Sequence, residues 1–254
     1  MSTGNIPDFI AHRGWASRFP ENTLESIGAA FDAGARYVEF DVQLSADGVP
    51  VLLHDATLDR TAGTPGCVHD LPWDALARCT VGETDRFGCR FHSVRLPSLE
   101  QAMALLGSRP DRRAFVEIKT ESLQRFGTGR VLARCLEVIG NAAGQCIVTS
   151  YSDELLQQAR EKAGLPIAWV LTAHDEASLA RARELAPDYL FCNVNKLPPT
   201  GPLAAGSWRW AIYEITDPGT ALALADRGAA MIETMAVGEM LEDPRLRTAA
   251  DLGR

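Results

Sequence analysis

Val38-Glu39-Phe40-Asp41-Val42 alternates apolar and acidic residues with the two-residue period of a β-strand. Successive side chains of a strand point to opposite faces, so Glu39 and Asp41 share one face while Val38, Phe40 and Val42 share the other. The apolar face suits packing against helices, which leaves the acidic face looking into the protein interior. An exposed edge strand with its polar residues outward is the alternative. Two carboxylates facing a closed core are costly unless a cation balances them. Val116-Glu117-Ile118-Lys119 repeats the device, adding a third carboxylate and a Lys to the same side. Here the alternative is a buried salt bridge with no metal.

Outward from this pair of segments, short apolar runs alternate with helical patterns along the whole chain. Strands are expected at Asp8–Ala11, Arg36–Val42, Arg113–Ile118, Gln145–Thr149, Ile167–Leu171, Asp188–Cys192, Arg209–Tyr213 and Ala230–Ile232. Helices are expected at Thr23–Ala33, Leu99–Leu106, Arg130–Ile139, Asp153–Ala163, Glu176–Leu185, Gly219–Asp226 and Val237–Leu246, with a weak one at Leu203–Ala205. Asn22 with Glu25 reads as a capping box for the first of these. Repeated strand–helix units imply parallel strands joined by right-handed crossovers. Eight such units close into a (β/α)8 TIM barrel of the α/β class, and 254 residues fit one such domain spanning 1–254. An open doubly wound sheet is the competing architecture, but no G-x-G-x-x-G follows the first strand. From about 55 to 97 the rhythm breaks into Gly, Pro, Asp and Thr. This stretch reads as a small subdomain inserted after the second strand, at the mouth where barrels keep their active sites.

Composition narrows the function classes. A net charge of −8 without clustered Lys and Arg argues against nucleic acid as a partner. No apolar run reaches the length of a membrane span, and Met1–Asp8 lacks an export-signal pattern, so a cytoplasmic protein is expected. The six cysteines show no C-x-x-C spacing and are expected to be reduced. Nothing indicates an oligomer.

The first strand runs into His12-Arg13-Gly14, and the run Val51-Leu52-Leu53 into His54-Asp55. A His at a barrel mouth can move protons near neutral pH, and the planar Arg fork matches phosphate oxygens. Glu39, Asp41 and Glu117 form an all-oxygen donor set suited to one hard divalent cation, Mg2+ or Ca2+. With Lys119 beside them, the set fits phosphoester cleavage by a pair of acid–base histidines.

His12-Arg13-Gly14, Pro20-Glu21-Asn22-Thr23, Glu39-x-Asp41, His54-Asp55-x-x-Leu58-x-Arg60-Thr61, Leu96-Pro97-Ser98-Leu99-Glu100 and Glu117-Ile118-Lys119 stand in this order. In order and spacing they resemble the glycerophosphodiester phosphodiesterase family over about residues 10–120. The resemblance implies a barrel with an insertion after its second strand. It implies hydrolysis of a small-molecule glycerophosphodiester to glycerol 3-phosphate and an alcohol. Glu39, Asp41 and Glu117 take the metal-ligand positions, His12 and His54 the catalytic pair, and Arg13 and Lys119 the phosphate contacts. Relatives of this kind often carry Trp followed closely by Asn near the seventh strand and Thr-Asp at the last. Here Trp210-Ala211-Ile212-Tyr213 and Ile232-Glu233-Thr234 depart from that, which bears on the leaving alcohol.

Trp15, following His12-Arg13-Gly14, is expected to wall the substrate pocket. Glu21 either orients Arg13 or shapes its turn. His69, His92 and His174 are expected in structural, surface or helix-start positions, and Trp169 in the core. Two other functions stay open: a lysophospholipase D-like activity on lysolipids, and a non-catalytic barrel that binds phosphate or metal.

Overall fold

The computed structural model describes residues 5–246. Met1–Gly4, part of the stretch read above for an export signal, lie outside the described residues. The strands are β1 (Asp8–Ala11), β2 (Tyr37–Leu44), β3 (Pro50–Leu52), β4 (Arg113–Ile118), β5 (Cys146–Ser150), β6 (Ile167–Val170), β7 (Tyr189–Asn193), β8 (Arg209–Tyr213) and β9 (Ala229–Thr234). Eight of them run parallel in the order β1-β9-β8-β7-β6-β5-β4-β2, and β1 pairs with β2 to close the ring. The short β3 hangs antiparallel on β2. The fold is therefore a TIM barrel, and the open-sheet alternative falls.

Two apolar layers follow from the strand period. Ile10, Tyr37, Phe115, Ile147, Phe191 and Met231 fill the barrel interior. Phe9, Ala11, Val38, Phe40, Val42, Val116 and Ile118 face the surrounding helices. The residues sharing a face with the interior set, one step further along each strand, are His12, Glu39, Glu117 and Glu233. Polar chemistry thus begins where the apolar plug ends.

Helices lie at Leu24–Asp32, Leu99–Gly107, Thr128–Ile139, Asp153–Ala163, Glu176–Leu185, Pro218–Asp226 and Val237–Glu242, close to the expected bounds. Thr120–Phe126 adds a helix that the sequence pattern did not single out, and the weak Leu203–Ala205 segment is not helical. Its neighbours Pro198, Pro202 and Gly201 deny it a run of backbone donors and favour irregular chain. The capping box also sits one residue later than expected. Thr23 Oγ1 accepts from Ser26 N, and Ser26 Oγ accepts from Thr23 N. Asn22 is left for another task. No described helix is long and apolar enough to cross a membrane.

Between Leu53 and Leu96 the chain makes only short helical turns, such as Asp59–Ala62 and Thr84–Phe87. They close over a separate apolar cluster of Val51, Leu53, Leu58, Val68, Leu76, Val81, Val94 and Leu96. Side chains of this segment reach the β1 loop, among them Arg86, which donates to Ala16 O at 2.6 Å. Arg60 grips Glu21 with both terminal nitrogens, at 2.8 and 2.7 Å, and Glu83 accepts from Glu21 N at 2.6 Å.

The β1 loop folds back on the first helix through Gly14, at φ +79°. A Cβ there would overlap Ser26 Oγ and lie 2.6 Å from the Ser26 carbonyl carbon and 2.7 Å from Ile27 N. Both the left-handed backbone and the contact therefore oppose a side chain. Gly14→Ala should lower stability by more than about 2 kcal/mol in urea unfolding. An unchanged midpoint would mean that this approach is not needed.

Candidate active site

Parallel register sets the acidic residues side by side. Asp41 on β2 pairs with Glu117 on β4, and Glu39 sits two residues back on the same face of β2. One oxygen from each of Glu39, Asp41 and Glu117 lies within 4.8 Å of the others, so the group can hold a metal ion. Glu39 and Asp41 are each 2% exposed, and Glu39 Oε1 has no hydrogen-bond partner among the described residues. A buried, unpartnered carboxylate oxygen beside two more carboxylates fits a hard cation.

Two protein cations share this space. Lys119 Nζ lies 2.9 Å from Glu117 Oε1 and 3.2 Å from Asp41 Oδ1. Arg13 donates through Nη1 to Glu21 Oε1 at 2.9 Å. Its Nε lies 3.2 Å from Asp41 Oδ2 without the alignment of a hydrogen bond. Asn22, held at φ +55°, clamps Asp41 twice: Nδ2 donates to Oδ2 at 2.9 Å, and Oδ1 accepts from Asp41 N at 3.0 Å. Burial alone would raise the Asp41 carboxyl, but Lys119, Arg13 and this hydrogen bond outweigh it and hold it well below the usual range. Glu39 goes the other way. Burial, then the charges of Asp41, Glu233 and Glu117, push it well above the ordinary carboxylate value.

His12 follows β1 and is 8% exposed. Its Nε2 stands 3.9 Å from Glu39 Oε2, an oxygen already accepting from Arg13 N at 3.0 Å. Burial, reinforced by the charge of Arg13, lowers the imidazole from 6.5 to about 3, so the ring is neutral and this contact is no ion pair. His54 is the more open of the two, with about a third of its side chain exposed. Its Nδ1 lies 2.7 Å from Asp55 Oδ1. Hydrogen bonds from Arg60 and His54 overcome burial to keep Asp55 below its usual value, hence ionised and acceptor-only. Nδ1 must then carry the hydrogen, which leaves Nε2 free to exchange a proton. Arg60 Nε donates to Asp55 Oδ2 at 2.7 Å while the same side chain grips Glu21. His54 is thereby fixed to the loop that carries Arg13.

His12, Arg13, Asp41, His54, Glu117 and Lys119 line one cavity of about 280 Å³. Tyr151, Val170, Phe191, Asn193, Lys196, Tyr213, Glu214 and Glu233 complete the far wall. Trp15 is not among the lining residues, a correction to the expectation that it walls the pocket. Its ring lies against Gly238, where no Cβ would fit, and its Nε1 donates to Glu239 Oε2 at 2.8 Å. The left-handed backbone at Arg13 and Gly14 turns the chain back toward the last helix, so Trp15 leaves the mouth. His69 is buried against Gln43 and Ser122, His92 is exposed, and His174 packs near Trp210; none lines the cavity. Trp169 is only partly buried, and its Nε1 donates to Tyr151 O.

Several site residues escaped the sequence reading. Asn22 was assigned to a helix cap, although its place beside Thr23 left it free for Asp41. Glu233 was noted only as a departure. Yet Met231-Ile232-Glu233 alternates as Val116-Glu117-Ile118 does, and that alternation was the signal. Tyr213, in the stretch after Trp210 that was expected to depart from relatives, reaches Tyr151 with the two hydroxyls 3.2 Å apart.

The comparisons with known proteins fall on the same group. The chain is 32% identical over 154 residues to a glycerophosphodiester phosphodiesterase of Caldanaerobacter subterraneus subsp. tengcongensis, a match covering 61% of this chain and 62% of that protein. It is 40% identical over 95 residues to glycerophosphodiester phosphodiesterase 1 of Bos taurus, covering 37% of this chain and 29% of that protein. The matched stretches thus span less than two thirds of these relatives' lengths. Among solved structures, an Oleispira antarctica phosphodiesterase in complex with the product sn-glycerol-3-phosphate superposes with a TM-score of 0.81 at 24% identity, over 92% of this chain and 95% of that one. A glycerophosphodiester phosphodiesterase from Agrobacterium tumefaciens gives 0.73 at 21%, over 92% and 99%. These two likenesses are of fold. The model of the glycerophosphoryl diester phosphodiesterase family matches residues 12–206, from His12 through β7 and beyond, and the chain belongs to that family.

Proposed function

We propose that this chain is a divalent-cation-dependent phosphodiesterase that hydrolyses glycerophosphodiesters to sn-glycerol 3-phosphate and an alcohol. It acts as one barrel domain, with residues 55–97 as an insertion. The observation that carries the reading is the meeting of Glu39, Asp41 and Glu117 with both His12 and His54 at a single cavity. The names of the relatives support the substrate class.

Glu39, Asp41 and Glu117 would hold the cation, Mg2+ or Ca2+, given three oxygen donors and no sulfur or nitrogen among them. When bound, that ion polarises a phosphoryl oxygen and offsets the charge of the phosphate. Arg13 and Lys119 flank the same carboxylates and offer the diester a planar fork and a point charge. His12 is neutral by burial and takes the proton of the attacking oxygen, from water or from a hydroxyl of the substrate. His54 delivers a proton from Nε2 to the departing alkoxide, with Asp55 holding Nδ1. Arg60 and Glu21 position this dyad and touch no reacting atom. A lysolipid would need an apolar path, and the lining offers only Val170, Phe191 and two tyrosines. Soluble headgroup diesters fit better.

Three measurements test this reading. Incubation with a panel of glycerophosphodiesters should release sn-glycerol 3-phosphate, cease in EDTA and resume with Mg2+ or Ca2+. No metal-dependent turnover across the panel rejects the assignment. His54→Ala should lower kcat about a hundredfold or more with little change in KM, the signature of lost proton transfer; a fall in KM-type binding alone would assign His54 to substrate binding. The third concerns His12, whose imidazole is lowered to about 3 in the native state against an ordinary 6.5. Below about pH 6.5 the unfolded chain takes up a proton that the native one refuses, so the residue lowers stability as pH falls toward 3. In EDTA, His12→Asn should lose about 2 kcal/mol less than wild type between about pH 7.5 and about pH 5 in urea unfolding. Equal losses would show that the native imidazole protonates freely.

A further inference from the structure

Glu233 has no place in the chemistry above. It ends β9 on the inward face, beside Ile10 on β1 and Tyr213 on β8, and is 3% exposed. Among the described residues it makes no ion pair, and its Oε1 has no hydrogen-bond partner. One atom each from His12, Glu39 and Glu233 lies within 4.8 Å of the others. His12 Nδ1 and Glu39 Oε1 are buried and unpartnered as well. Three unsatisfied polar atoms on three neighbouring side chains, each more than nine-tenths buried, are a costly arrangement with nothing between them.

We propose that His12, Glu39 and Glu233 form a second cation site, sharing Glu39 with the all-oxygen group and selecting a borderline divalent ion such as Zn2+. The inference rests on the reading of the first site for that shared residue and, for its effect on turnover, on the role given to His12. Charge supports it. Around the first group, three carboxylates already share Lys119 and Arg13, and Arg13 is further shared with the buried Glu21, so neither cation is left over for Glu233. Glu233 is then a carboxylate in surplus, and a buried charge is found paired or ligating. Donor chemistry supports it too. One imidazole nitrogen with two carboxylate oxygens is a set that zinc accepts readily, whereas three oxygens favour Mg2+ or Ca2+. The two groups therefore sort ions by type. An imidazole that gives its lone pair to an ion cannot use it to take a proton. Occupancy of the second site thus opposes turnover, and Zn2+ inhibits an enzyme already supplied with Mg2+ or Ca2+.

Equilibrium dialysis of the full chain against Zn2+ alone tests the site directly. Wild type should bind two ions per chain and Glu233→Gln one. The second affinity should fall by about a hundredfold or more, since an outer-shell partner alone is worth about ten- to a hundredfold. The concentration of Zn2+ that halves turnover should rise by a similar factor in the variant. One ion in both proteins, or two bound equally well in both, overturns the second site and leaves the first standing. No ion in either overturns both. Should Glu233→Gln fail to fold, crystals of wild type soaked in Zn2+ decide. An anomalous peak within about 2.5 Å of both a His12 nitrogen and a Glu233 oxygen is expected, and its absence there refutes the proposal.

Discussion

Carboxylates of Glu39, Asp41, Glu117 and Glu233 face one another at the end of the barrel interior, with Arg13 and Lys119 as the cations among them. Like charges at this spacing in a low-dielectric space repel by several kcal/mol apiece unless something intervenes. The two cations favour Asp41, which they hold ionised, while Glu39 and Glu233 are driven toward protonation. That imbalance follows from register. Asp41 lies level with Glu117 and within reach of Lys119, whereas Glu39 lies one layer deeper, against Arg13 only through a backbone N–H. Groups that repel one another stay close only if their frame is rigid, and the closed ring of parallel strands is that frame.

Loops complete what the strands begin. Arg13 and Asn22 both adopt left-handed backbone without being glycine, at φ +56° and +55°. Such residues cost of order 1 kcal/mol or more each and persist where their surroundings hold them. Here the hold is visible: Arg13 is tied to Glu39 and Glu21, and Asn22 to Asp41. The inserted segment adds the outer brace. Its Arg60 links Asp55 to Glu21, so the ring of His54 and the guanidinium of Arg13 are set by one shared carboxylate. A long excursion from the barrel thus reads as a support for the mouth, with its own small apolar cluster to stiffen it.

Strand positions were legible because the period of two survives burial. Alternation at Val38–Val42 and at Val116–Lys119 assigned nine side chains to their faces from sequence alone. Helix bounds followed for the same reason, except where short range gave no period: Thr120–Phe126 is only two turns, and its Ser122 and Leu123 are its buried residues. Trp15 was misread because a positive φ at two successive residues reverses the chain, and nothing in the residue types at Arg13 announces that turn. Asn22 was misread because capping and carboxylate-binding use the same short polar side chain. The Arg60–Glu21 link could not be read at all, since it joins residues 39 apart, one in the loop after β1 and one in the segment after β3, where no period marks which side chains meet.

The cavity divides into two halves held in different ways. β1, β2 and β4 with the segment after β3 carry both histidines, the three carboxylates of the first group and both cations. Their demands are geometric and tolerate little change, because each side chain satisfies two or more others. The far wall, from β5 to β8, supplies Tyr151, Phe191, Lys196 and Tyr213. Those side chains hold one another loosely: the two tyrosines share one hydroxyl contact, and Lys196 donates to the Leu171 carbonyl at 3.3 Å. They can vary without disturbing the charged half. Glu233 is the exception, a buried carboxyl on the strand that closes the ring between the two halves. It lies level with Tyr213 on one side and next to the strand of His12 on the other. A residue so placed joins the far wall to the His12 side chain, whose ligand atom lies within 4.8 Å of its own, so a change there reaches both halves of the cavity.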